Sequence, residues 1–146
     1  MLGALTHDGD VDVRAMKRLI QASRPLQITF HRAFDMTRDP LQALDAIIGL
    51  GADRLLTSGQ RTTAEEGMQL TKQLVDRTDN RLTVMAGAGI NGSNVRQILE
   101  ATQVREVHAS GSVPRNPALA TGEVRFGDRS RVTSVQRVRE LIAAMS

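Results

Sequence analysis

The chain has 146 residues, a net charge of +3, no cysteine, and three phenylalanines as its only aromatic residues. That length suits one domain, and the lack of cysteine excludes disulfides, thiolate metal sites and cysteine nucleophiles together, so a cytoplasmic setting is expected. The arginines are spread among acidic residues with no basic stripe or stacking rings, which argues against nucleic acid, and no apolar run has the length of a signal peptide or membrane span.

Leu2–Leu5 reads as the tail of a strand, and Val11, Met16, Leu19 and Ile20 give a first helical face. Leu26–Phe34 follows as a strand in which Thr29, His31, Ala33 and Asp35 form a polar set against Ile28, Phe30 and Phe34. Arg32 falls in the apolar set, so it must snorkel or sit past a bend. Asp39-Pro40 then supplies a capping carboxylate and a first-turn proline for a second helix bearing Leu41, Leu44, Ile47, Ile48 and Leu50, with Gly49 and Gly51 at its end. After a second strand, Arg54–Ser58, the overlapping capping boxes Thr62-x-x-Glu65 and Thr63-x-x-Glu66 introduce a helix carrying Met68, Leu70, Leu74 and Val75. A third strand is expected over Leu82–Gly87, a fourth helical face from Val95, Ile98 and Leu99, and a fourth strand over Glu106–Ser110. In that strand Glu106, His108 and Ser110 alternate with Val107 and Ala109. Residues 112–132, with Pro114, Pro117, Gly122 and Gly127, read as a long loop whose Arg115, Arg125, Arg129 and Arg131 either close over an anion or are solvated. Thr133 or Ser134 caps a last helix with Val135, Val138, Leu141 and Ile142.

Strict alternation of strand and helix means parallel strands with crossover helices. Strand starts near 28, 54, 82 and 106 are 26, 28 and 24 residues apart, an even repeat that suits a barrel better than a doubly wound sheet. A (β/α)8 TIM barrel uses about 30 residues per unit, so 146 residues correspond to about five of eight units. The expectation is an α/β fold, an N-terminally incomplete TIM barrel in which residues 1–146 run from the end of strand 4 through helix 8, the start of the coding sequence having been lost or misassigned.

Barrel sites form at the C-terminal strand ends. Candidate catalytic residues there are His31, Arg32, Asp35 and His108. Each histidine is either an acid-base group or a hydrogen-bonded wall, and Arg32 with Asp35 is either a substrate clamp with a base or an ion pair closing the strand. Ser58, Gly59, Gly87, Ala88, Gly89, Ser110 and Gly111 lie in glycine-bearing loops that either present backbone N–H groups to a small anion or only permit tight turns. Two such loops, after the strands expected to be seventh and eighth, occupy the usual phosphate position of this fold.

Thr29-Phe30-His31-Arg32-Ala33-Phe34-Asp35, Leu56-Thr57-Ser58-Gly59-Gln60, Met85-Ala86-Gly87-Ala88-Gly89-Ile90 and Glu106-Val107-His108 resemble the signature strands of the CutC family, in the family's order. The opening Gly3-Ala4-Leu5-Thr6-x-Asp8-Gly9 is similar to the end of its fourth strand, and the likeness fades after Gly111. The resemblance implies a cytoplasmic TIM barrel with a role in copper homeostasis, a homo-oligomer when full length, and copper as a ligand by resemblance only. No other cofactor is evident and no metal ligand is assigned, because Cu(I) prefers thiolates and thioethers and the chain offers no cysteine. The alternative is a barrel enzyme acting on a small phosphorylated or carboxylated metabolite at the same strand ends.

Overall fold

The computed structural model describes residues 1–114 and 131–146. Four parallel strands, β1 (Thr29–Phe30), β2 (Arg54–Thr57), β3 (Thr83–Gly87) and β4 (Glu106–His108), lie side by side in chain order. Leu2 adds a parallel bridge to Phe30 on the outer side of β1, as a strand tail should. A doubly wound sheet would reverse its order partway. Neighbours that simply follow the chain are the arrangement of part of a TIM barrel. Among the described residues no helix is long and apolar enough to cross a membrane.

Helices α1 (Val13–Ser23), α2 (Pro40–Gly49), α3 (Met68–Thr78), α4 (Val95–Thr102) and α5 (Val135–Met145) complete the units. One sheet face gives Phe30, Leu55, Val84 and Ala86 to a core shared with Met16 and Ile20 of α1, Leu44 and Ile47 of α2, Leu74 of α3, and Val95 and Ile98 of α4. Each large side chain buried there contributes about 2 kcal/mol. No residue of α5 is fully buried, and its Val135 and Ile142 stand exposed.

The helix starts follow local chemistry. Asp39 accepts the N–H groups of Leu41 and Gln42 at 2.9 and 3.0 Å, Asp12 accepts that of Ala15 at 2.8 Å, and Ser134 accepts that of Arg137 at 3.4 Å. Of the two expected capping boxes, Thr63 and Glu66 exchange bonds of 3.3 Å each way. They close a separate turn, and α3 begins only after Gly67.

Three expectations are corrected. Leu26–Phe34 is not one strand: only Thr29–Phe30 pairs, and the chain then coils into a 3-10 turn over Arg32–Met36. His31 starts that turn by accepting the Ala33 N–H at 3.1 Å, which ends the strand's alternation and places Arg32 past a bend. Leu19 and Val11 do not both belong to a buried face of α1, since Leu19 is exposed and Val11 precedes the helix, bridged to Leu5. Residues 112–132 are not all loop, because β5 (Ser112–Pro114) and β6 (Arg131–Thr133) pair antiparallel. Arg115, Arg125 and Arg129 lie outside the described residues.

Two glycines let the loop after β2 cross the approach to α3. A Cβ on Gly67 would stand 1.8 Å from the Ser58 carbonyl oxygen, and one on Gly59, at φ +68°, would stand 2.2 Å from that of Gly67. Gly67→Ala is therefore expected to cost at least about 2 kcal/mol of unfolding free energy. Gly49→Ala, at a helical position with nothing within 4 Å of the added carbon, should be neutral or stabilising. Denaturant unfolding of the two variants checks this, and equal effects would show that the crossing is not tight.

Candidate functional site

The strand ends converge on the carboxylate of Asp35, whose side chain is only 7% exposed. Its Oδ2 accepts from Arg32 Nε at 2.7 Å and its Oδ1 from the Thr57 hydroxyl at 2.5 Å. The Ser58 and Gln60 N–H groups add bonds of 3.1 and 3.2 Å. The Ser58 hydroxyl accepts from Arg32 Nη2 at 2.7 Å and shares its one proton between Arg61 O at 2.5 Å and Asp35 at 3.0 Å. Thr57-Ser58-Gly59-Gln60 thus wraps the carboxylate, with Gln60 held at φ +56° and tied by its own side chain to Thr37 O at 2.7 Å.

Burial by itself raises the Asp35 pKa. The bonds from Thr57, Arg32 and the Gln60 and Ser58 amides outweigh it and hold the group below the ordinary 3.8. A carboxylate so committed is a weak proton acceptor, and its geometry is that of a positioning residue. The beneficiary is Arg32: two anchors fix its guanidinium while its side chain stays 44% exposed at the mouth. Of the two readings of Arg32 and Asp35, the ion pair is the one formed, and it fixes the orientation of the Arg32 guanidinium.

His31 sits beside this pair. Its ring lies over Gly3, where a Cβ would be 2.4 Å from Cε1, so a larger residue there would displace the ring. Nδ1 accepts the Ala33 N–H, which puts the proton of the neutral ring on Nε2, and Nε2 has no partner among the described residues. His108 is exposed at the end of β4, also without a side-chain partner among the described residues.

The seven loop residues divide. Ser58 and Gly59 are buried, and their N–H groups go to Asp35 and to the Thr57 hydroxyl at 2.9 Å, so they build the mouth from beneath. Gly87 makes room for Leu56, whose Cδ1 would be 2.7 Å from an added Cβ. Ala88 holds φ +93°, rare for a residue with a side chain, and its carbonyl accepts the Ala64 N–H at 3.0 Å. Gly89, Ser110 and Gly111 meet in one cleft with Ile90, Asn91, Arg131 and Arg137. Arg137 went unnoticed in sequence because it reads as a solvated helix residue, and only its place in the first turn after the strand-end loops marked it.

At the opposite strand ends Arg54 and Glu106 reach across β3 to pair at 2.7 Å, with Gln27 Oε1 2.6 Å from Arg54 Nη1. The bond to Glu106 raises the pKa of Arg54 above its ordinary value.

Asp35→Asn is expected to lower stability by about 2–3 kcal/mol at neutral pH. Because the folded pKa is depressed, the carboxylate's contribution is complete above 3.8 and is lost as pH falls through the lower folded value. The gap between wild type and variant in denaturant titrations should stay constant above about pH 5 and narrow below it. A gap that widens on acidification would show that the carboxylate is not held as an anion.

Comparison with known proteins places these features. The CutC family model matches residues 1–113. A CutC family protein of Bacteroides fragilis is 43% identical over 155 aligned positions, covering all of this chain and 62% of the relative. A mouse protein named as a copper homeostasis protein cutC homolog is 42% identical, covering 98% of this chain and 56% of its own length. The crystal structure of CutC from Streptococcus agalactiae superposes with a TM-score of 0.69 at 32% identity, over 73% of this chain and 53% of that one. The chain spans about three fifths of the length of the Bacteroides relative and belongs to the CutC family.

Proposed function

We propose that this protein serves copper homeostasis, the role its relatives' names carry, through the strand-end mouth around Arg32 rather than through a Cu(I) chelate of its own. Family membership supports the role. The observation that carries the site is Arg32 itself, anchored twice from below by Asp35 and Ser58 and left open above. In this reading Arg32 contacts a small anionic ligand, Asp35 positions it, and Nε2 of His31 exchanges a proton with the same ligand. His108 borders the mouth one strand end further on.

The residues present do not fit a Cu(I) site. Thiolate is absent from the chain, and the thioethers are dispersed: Met16 is buried in the core, while Met36 is 77% exposed past the 3-10 turn. Among the described residues no group of three His, Cys, Asp or Glu side chains could hold a metal. Copper, on this proposal, is handled through the ligand or through further parts of the longer family protein. The same reading places the protein in the cytoplasm, where a cysteine-free chain needs no oxidising compartment, and makes the full-length form a homo-oligomer.

Two measurements test this. In competition with a Cu(I) chelator the purified protein should retain no copper, and stoichiometric binding lost on substitution of Met36 or Met85 would overturn the view of the site. In cells, loss of the gene should change copper tolerance, and Arg32→Gln should fail to restore it. An unchanged tolerance removes the copper role, whereas full rescue by the variant removes the mouth as its working surface.

A further inference from the structure

We infer that the cleft between the loop after β3 and the loop after β4 binds the phosphate group of a small phosphorylated metabolite. The cleft has a volume of about 210 Å3, and its lining includes Gly89, Ile90, Ser110, Gly111, Arg131 and Arg137. That is below the roughly 300 Å3 of pockets that enclose whole small molecules, and it suits one compact charged group. The rest of the ligand would extend over the strand ends, since β2, β3 and β4 are parallel and all finish on this face.

Three features select phosphate. First, Gly89 and Gly111 stand at φ +72° and +55°, so their peptides turn in a way that a residue with a side chain resists. Second, the N–H groups of Gly89, Ile90, Ser110 and Gly111 find no acceptor among the described residues, although Ile90 is buried; the adjacent Asn91 N–H, by contrast, is taken by Asn94 at 2.9 Å. Ile90 is buried and Gly111 half-buried, whereas Gly89 and Ser110 are exposed; backbone donors without partners at the first two positions are rare, and an oxyanion with several acceptor oxygens satisfies them together with the exposed pair. Third, two guanidinium groups bring positive charge from separate elements. Arg131 is held by Ser112 through bonds of 2.8 and 2.7 Å to its hydroxyl and carbonyl, which leaves Nη1 uncommitted among the described residues. Arg137, in the first turn of α5, meets Glu140 only at 3.3 Å and can turn to a better anion. A single carboxylate would leave most of these donors unmatched.

The cleft is a different place from the Asp35 mouth and does not depend on the copper role. Titration of the full chain with inorganic phosphate at constant ionic strength, followed by amide chemical shifts, should move Gly89, Ile90, Ser110 and Gly111, with a dissociation constant on the order of 1 mM. Arg131→Gln and Arg137→Gln should each weaken binding about tenfold. Glu140→Gln should strengthen it severalfold by releasing Arg137, an effect that a purely structural role for the pair would not give. Arg38→Gln, which removes a surface pair with Asp10, should change nothing. Shifts confined to other amides, equal saturation by acetate, or Arg131 and Arg137 variants that bind as wild type does would each overturn the assignment.

Discussion

A buried carboxylate has to be surrounded by donors, and around Asp35 that requirement organises one end of the molecule. An unpaired carboxylate at this depth would cost several kcal/mol, so the chain supplies it from three places: Arg32 within the same turn, Thr57 at the end of β2, and the amides of the loop that follows. Those bonds hold the 3-10 turn that follows β1 and fix the loop after β2 in a conformation with positive φ at Gly59 and Gln60. The loop can take that path only because Gly59 and Gly67 pass each other without side chains. Packing and electrostatics at this site are therefore one constraint, and both act on the orientation of Arg32.

Polar groups sit at the two ends of the sheet in different ways. At the strand starts, Arg54, Glu106 and Gln27 satisfy one another and present nothing reactive. At the strand ends the satisfied group is Asp35, while Arg32, Nε2 of His31 and His108 remain without a full set of partners among the described residues. The asymmetry matches the general placement of barrel sites at the C-terminal strand ends, the side on which the cleft lined by Arg131 and Arg137 also lies. In a CutC family member without cysteine, that face offers charge and hydrogen bonds, which recognise oxyanions far better than they recognise Cu(I).

By itself the sequence determined the order and spacing of strands and helices, because hydrophobic periodicity and capping chemistry are local: Asp39-Pro40, Ser134, and the runs at Arg54, Thr83 and Glu106 all carry their meaning within a few residues. Even spacing was enough to favour a barrel, and the motif Thr29–Asp35 was enough to show a likeness to the CutC family. Tertiary structure decided the rest. Alternation could not reveal that the first strand ends at Phe30: His31 starts the turn by accepting the Ala33 N–H, and the turn is held by donors reaching Asp35 from more than twenty residues away, of which strand periodicity carries no record. Nor could glycine content separate Gly59 and Gly87, which serve close packing against Gly67 and Leu56, from Gly89 and Gly111, which line a cleft. All four look alike along the chain, and only their neighbours in space differ. Arg137 likewise had the look of a solvated helix residue until the packing of α5 against α4 brought its first turn beside two strand-end loops.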